Sequence, residues 1–175
     1  SSGSRTVTET QAPAGYGVAG DQQLDLTAGQ VGELTFTDSR LPGSIRVTKT
    51  DQNGTILSGA CFAVNDGAPV CDNDGADADS TDGIVQIDGI AEGDVTLSET
   101  TAPTGFLPGE SETVTVEAGA IVDVSVVNLP ANGSVQITTT DDQSGDPLTG
   151  ACYDLVGGQT FSVCDNGDGD ADDTD

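Results

Sequence analysis

Val95-Thr96-Leu97-Ser98-Glu99-Thr100-Thr101-Ala102-Pro103-Thr104-Gly105-Phe106 decides how the rest of the chain is read, because a near-copy lies upstream as Thr6-Val7-Thr8-Glu9-Thr10-Gln11-Ala12-Pro13-Ala14-Gly15-Tyr16. In each copy a short β-type run delivers a glutamate and then breaks at Ala-Pro-x-Gly-aromatic, a combination that ends a strand and turns the chain. Glu9 and Glu99 are 90 residues apart. The repeating element is therefore of domain size, and internal repetition governs the architecture.

Other landmarks keep the same offset. Gly43-Ser44-Ile45-Arg46-Val47-Thr48 returns 90 residues later as Gly133-Ser134-Val135-Gln136-Ile137-Thr138, and Gly59-Ala60-Cys61-Phe62 returns 91 later as Gly150-Ala151-Cys152-Tyr153. The expected organisation is the back half of a first β-sandwich repeat (1–38), a complete repeat (44–128) and the front half of a third (134–175). Ser39-Arg40-Leu41-Pro42-Gly43 and Leu129-Pro130-Ala131-Asn132-Gly133 are the joints. Short joints holding Pro and Gly imply neighbours stacked end to end with limited swing. The lack of Met marks a processed product or an interior segment.

Composition points the same way. Aromatics make up 3% of the 175 residues, while Gly, Thr, Val, Ser and Asp abound, a mixture that favours short strands and tight turns over helices. Thirty acidic residues against four basic ones leave a net charge of −26. Such a surface repels nucleic acid and anionic lipid and attracts cations. No apolar run of about 20 residues is present, so no membrane span is expected.

Within the complete repeat the alternation of apolar and polar residues gives strands at 44–50, 60–64, 68–71, 84–87, 94–99, 112–117 and 120–128, with turns at Asp51-Gln52-Asn53-Gly54 and Ala118-Gly119. Seven short strands at this spacing predict an antiparallel β-sandwich, an all-β fold. Ala60, Phe62 and Val64 share one face of their strand and Cys61 takes the other. The four cysteines pair within repeats, Cys61 with Cys71 and Cys152 with Cys164, at matching places. There is no His and no C-x-x-C spacing, so disulfides formed in an oxidising compartment are expected rather than a metal site.

Lys49 is the one lysine of the chain, and it falls on the Ile45/Val47 face that should enter the core. A charged, unpaired lysine there costs several kcal/mol, so it should be neutral or reacted. Asn128 ends the last strand and Glu99 the middle one. On the residues alone, an ordinary Lys49–Glu99 ion pair with Asn128 capping a strand stands beside a reactive trio.

The order I-x-V-x-K-T-D, G-A-x-F, L-x-E-T-x-A-P-x-G-[FY] and a closing V-x-N resembles the Cna-B/SpaA-type, prealbumin-like domains of bacterial surface proteins and pilins, over essentially all the repeated parts of the chain. The resemblance implies an intramolecular isopeptide bond between Lys49 and Asn128 with Glu99 as catalyst. That chemistry is reasonable: burial lowers the amine pKa and raises the carboxyl pKa, the amine attacks the carboxamide carbon, and the glutamate shuttles protons. It is a single-turnover self-reaction, not enzymatic turnover. Thr139 stands at the lysine position of the third unit, and Asp38 at the asparagine position of the first.

After each second cysteine comes an aspartate-rich loop, with Asp72, Asp74, Asp77, Asp79 and Asp82 in one and Asp165, Asp168, Asp170, Asp172 and Asp175 in the other. Alternating carboxylates on a Gly- and Asn-rich turn offer the oxygen ligands of a Ca²⁺ site, without the helices or final glutamate of an EF-hand. A solvated acidic loop is the plainer reading. The expected protein is a repeat segment of an extracellular stalk, fibre or pilus-like filament on a cell surface, whose partners are its own neighbouring repeats or subunits. A ligand-binding adhesin module is the alternative.

Overall fold

A computed structural model describes residues 2–157 and 159–165. It divides the chain into two units, 1–132 and 133–175. Among the described residues every regular element is a strand, and no helix is long and apolar enough to cross a membrane.

The first unit opens with β1 (Gly3–Val7), β2 (Tyr16–Gly17), β3 (Gln22–Leu26) and β4 (Ser39–Arg40). β1 pairs antiparallel with β3, and β2 with β4. A sandwich follows, built from β5 (Gly43–Asp51), β6 (Cys61–Val64), β7 (Val70–Cys71), β8 (Ile84–Ile90), β9 (Gly93–Thr101), β10 (Glu112–Val116) and β11 (Ile121–Asn128). These are seven strands, as the alternation requires. One sheet runs β10-β9-β6-β7 and the other β11-β5-β8.

The core lies between those sheets. Ile45, Val47, Val85 and Val126 come from one, and Phe62, Val95, Leu97, Val114 and Val116 from the other. Phe62 is completely buried, which alone contributes about 1.5–3 kcal/mol. Strand β5 alternates buried and half-buried residues from Gly43 through Lys49, the period-2 pattern of a strand with one face in the core. Gly43 begins it because nothing larger fits: a Cβ there would lie 2.5 Å from the Glu117 carbonyl oxygen.

One feature departs from the sequence-based expectation. The sandwich is antiparallel throughout except that its first and last strands, β5 and β11, run parallel, with Lys49 opposite Val126 and Asp51 opposite Asn128. Period-2 alternation reports which face a residue occupies, not which strand lies beside it or in which direction. At β6 the expected alternation holds: Ala60 and Phe62 belong to the core cluster, while Cys61, though also buried, stands outside it in the bridge to Cys71.

In the second unit β12 (Cys152–Gly157) and β13 (Gln159–Cys164) form an antiparallel hairpin with Cys152 facing Cys164. An isolated bridge joins Thr140 to Pro147.

Candidate functional site

Strands β5 and β11 bury Lys49 and Asn128, and β9 brings the half-buried Glu99 against Asn128. Lys49 follows Ile45 and Val47 on the core face of β5 and is 0% exposed, and Asn128, at the end of β11, is 1% exposed. The Lys49 Nζ donates to the Val126 carbonyl at 3.1 Å and to the Thr50 carbonyl at 3.2 Å. Burial pushes the amine below the usual lysine range, with the Glu99 charge opposing that shift. A neutral amine has two N–H donors, both used by these carbonyls, which leaves its lone pair uncommitted.

Glu99 is held from both sides. Its Oε1 accepts from the Asn128 Nδ2 at 2.9 Å, and its Oε2 accepts from the Gly109 N–H at 2.6 Å. The Asn128 Oδ1 is shut off from solvent and has no hydrogen-bond partner. A buried amide oxygen left in that state is uncommon and calls for an explanation. Gly109 was not foreseen from the sequence. It packs where a Cβ would come 2.9 Å from the Val126 Cγ1 and 3.4 Å from both the Asn128 Oδ1 and the Glu99 Oε2.

Residues 43–130 match the family model of the SpaA prealbumin-like fold domain. The chain belongs to the SpaA family. Among solved structures it is similar to the Bacillus anthracis TIE protein, at 19% identity and a TM-score of 0.49, over 93% of this chain and 39% of that one. It is also similar to GBS52, the minor pilin of Streptococcus agalactiae, at 20% identity and a TM-score of 0.42, over 75% of this chain and 66% of that one. A third is the shaft pilin SpaA of Lactobacillus rhamnosus GG, at 16% identity and a TM-score of 0.40, with the same two coverages. The chain thus spans between 39% and 66% of the length of these proteins. No curated protein matches it.

Around the SpaA domain, parts of the glutamate site recur. The Glu9 Oε2 accepts from the Ala19 N–H at 2.7 Å, as Glu99 does from Gly109 ten residues on. Asp38 takes the place of Asn128 and shares a hydrogen bond with Glu9, and its Oδ1 is likewise solvent-excluded and unpartnered. Loss of hydration, then the Glu9 hydrogen bond and charge, raise the Asp38 carboxyl above its ordinary range. In the second unit Thr139, at the lysine position, hydrogen-bonds through its hydroxyl to that of Tyr153.

Both expected disulfides are present, Cys61–Cys71 and Cys152–Cys164. The first joins β6 to β7 across facing positions.

The aspartates of the SpaA domain's acidic loop act as turn acceptors. The Asp72 Oδ2 accepts from Gly59 N–H at 2.7 Å and Gly83 N–H at 3.1 Å. Asp74 accepts from Cys71, Ala76 and Asp77 N–H, and Asp77 from Asn73, Asp79 and Gln86 N–H. Asp79 accepts from the Thr81 N–H, and Asp82 from the Asn73 side chain. The Cys71 N–H, with further backbone donors, holds Asp74 below the usual carboxylate range, and the Thr81 hydroxyl and N–H do the same for Asp79. Among the described residues no three carboxylates converge into a metal-binding group, so the loop in this conformation does not form a Ca²⁺ cage. Asp165 accepts from the Gly150 N–H at 2.7 Å, as Asp72 does from Gly59. Asp168, Asp170, Asp172 and Asp175 lie outside the described residues.

Proposed function

We propose that this chain is a structural segment of an extracellular bacterial stalk, fibre or pilus-like filament, built from tandem SpaA-type units and closed covalently by a Lys49–Asn128 isopeptide bond. The observation that carries the reading is the fully buried lysine whose two N–H groups rest on main-chain carbonyls, beside a carboxamide hydrogen-bonded to Glu99. Burial of a group this costly needs a chemical reason.

The reaction balances without a co-reactant. The Lys49 Nζ lone pair attacks the Asn128 Cγ, a C–N bond forms, and the bond from Cγ to Nδ2 breaks. Glu99 takes a proton from the attacking nitrogen and delivers one to Nδ2, which lies 2.9 Å from its Oε1, so ammonia leaves. The fold supplies proximity, and each molecule reacts once. Intact-mass measurement after reduction of both disulfides tests this directly: the chain should be one ammonia lighter than its sequence, and Glu99→Ala should restore the full mass. A full-mass wild-type chain would overturn the bond, and an undiminished deficit in Glu99→Ala would remove the glutamate from the mechanism.

Tandem organisation is supported by recurrence bond for bond. Gly3 faces Leu26 as Gly93 faces Val116. The Leu148 N–H donates to the Thr139 carbonyl at 2.9 Å as Leu57 does to Lys49 at 3.0 Å. Two disulfides favour an oxidising, extracellular setting. A Ca²⁺ site in the Asp72–Asp82 loop is proposed on carboxylate density alone, and binding would have to exchange turn hydrogen bonds for metal bonds.

A further inference from the structure

Two copies of the Ala-Pro-x-Gly-aromatic turn are built by the same bonds. The Tyr16 N–H donates to the Pro13 carbonyl at 3.1 Å and the Phe106 N–H to that of Pro103 at 3.1 Å. The Leu41 N–H donates to the Gly15 carbonyl at 2.8 Å and the Ala131 N–H to that of Gly105 at 2.8 Å. Gly15 and Gly105 both adopt left-handed backbone, with φ of 81° and 85°.

Their surroundings differ. A Cβ on Gly15 would lie 2.8 Å from the Ala118 carbonyl oxygen and 3.2 Å from its Cβ, whereas a Cβ on Gly105 would meet nothing within 4 Å. Ala118 and Gly119 are the turn between β10 and β11. That turn approaches backbone to backbone, since a Cβ on Gly119 would come 3.2 Å from the Gly15 Cα. The Gly119 N–H donates to the Leu41 carbonyl at 3.2 Å, so Leu41 bonds to both sides of the contact. Next to it, Arg40 lies over the Tyr16 ring, 5.6 Å from its centroid, and forms an ion pair with Glu92 in the β8–β9 turn.

We propose that the Ala-Pro-x-Gly-aromatic turn is a socket between units: its glycine seats the β10–β11 turn of the SpaA domain that follows, so the two bodies move as one. The partner this socket fits is a domain of the same fold presenting a small residue and a glycine at that turn. Only glycine on each side lets two main chains pass this closely. The Leu41 hydrogen bonds fix the height of the contact, and the Tyr16–Arg40–Glu92 chain fixes its rotation. Without the socket, the joint through Pro42 and Gly43 would leave residues 1–42 free to swing on a single covalent connection. None of this depends on whether Lys49 has reacted.

Residual dipolar couplings measured on the whole chain test the socket, with Gly15→Ala and Gly105→Ala as a matched pair. Both replace a glycine of similar positive φ in an identically bonded turn, so both carry the same local backbone strain, but only Gly15→Ala meets Ala118. Wild type and Gly105→Ala should fit one alignment tensor for residues 3–26 together with 43–128, and Gly15→Ala should need two. Two tensors in the wild type, or indistinguishable behaviour of the two variants, would overturn the proposal. If Gly15→Ala loses its own turn, seen as loss of exchange protection at the Leu41 N–H, then Glu92→Lys decides, because it sets like charges together at the rim and leaves both turns intact. It should weaken the shared alignment, and an unchanged single tensor counts against the socket.

Discussion

The Lys49 amine rests on the main-chain carbonyl of Val126, 3.1 Å away, which is the residue that faces it across the parallel β5–β11 ladder. The strand that carries Asn128 therefore also holds the Lys49 amine. Register alone sets their relation, and no mobile loop is needed to bring them together.

That burial has a pH signature in the unreacted chain. Desolvation lowers the folded-state pKa of Lys49, so the unfolded chain binds more protons below the ordinary lysine value of about 10.4. Stability of an uncross-linked variant should then rise as pH increases toward that value. Glu99→Ala should show this rise in urea unfolding between neutral pH and pH about 10, and Lys49→Met should not. Wild type should also lack it if its amine is consumed in the proposed bond. A flat profile in Glu99→Ala would contradict a buried free amine.

Asp38 gives the opposite slope. Its carboxyl is raised by desolvation first and by Glu9 second. The folded chain thus binds more protons above the ordinary aspartate value of about 3.9, and stability present below that value is lost as pH climbs through the raised one. Asp38→Asn should flatten the loss, because a carboxamide can donate to Glu9 as Asn128 donates to Glu99. Hydrogen exchange of the β1 and β3 amides at neutral pH should slow in this variant. Faster exchange would show that the carboxylate is tolerated as it stands.

The Cys61–Cys71 bridge spans 10 residues, and closing a loop of that size stabilises by about 3 kcal/mol through the unfolded chain. Reduction, or a double substitution to Ala, should lower the melting temperature of the SpaA domain by roughly 10 °C or more, given about 4–8 °C per kcal/mol in a domain of this size. A midpoint that does not move on reduction would show the bridge to be neutral.

For the acidic loop, calorimetric titration with Ca²⁺ should give heat and a raised melting temperature if the carboxylates regroup around the ion, since any ligand that binds only the folded state stabilises it. Asp77→Asn should abolish both, because its two oxygens sit at the centre of the turn network. No heat and no thermal shift would leave these aspartates as turn acceptors only.

The strand pattern was legible because alternation is a local property: Ile45, Val47 and Lys49 share a face in the sequence and share it in the fold. The glutamate stretch was legible because it repeats. What escaped reading were relations between distant segments. Nothing in 44–50 or 120–128 states that the two strands lie parallel, and nothing around Gly109 states that its N–H will meet Glu99. The offset of ten residues from Glu99 to Gly109, copied from Glu9 to Ala19, was the available signal. The aspartates show a further limit, since a carboxylate that caps a backbone turn and one that binds a cation look alike in sequence.

The parallel pairing of β5 and β11 settles how the SpaA domain meets tension. The chain enters at Gly43, one residue before the Ser44–Ile121 pair, and leaves at Asn128 beside Asp51, so entry and exit lie at opposite ends of the same ladder. A pull on the two ends slides one strand along the other and strains all their hydrogen bonds at once, instead of peeling them one by one. With Lys49 joined to Asn128, the load would travel up β5 as far as residue 49, cross to β11 and leave. Everything between residues 50 and 127, the acidic loop and most of the core included, would hang beside the load line and feel none of it.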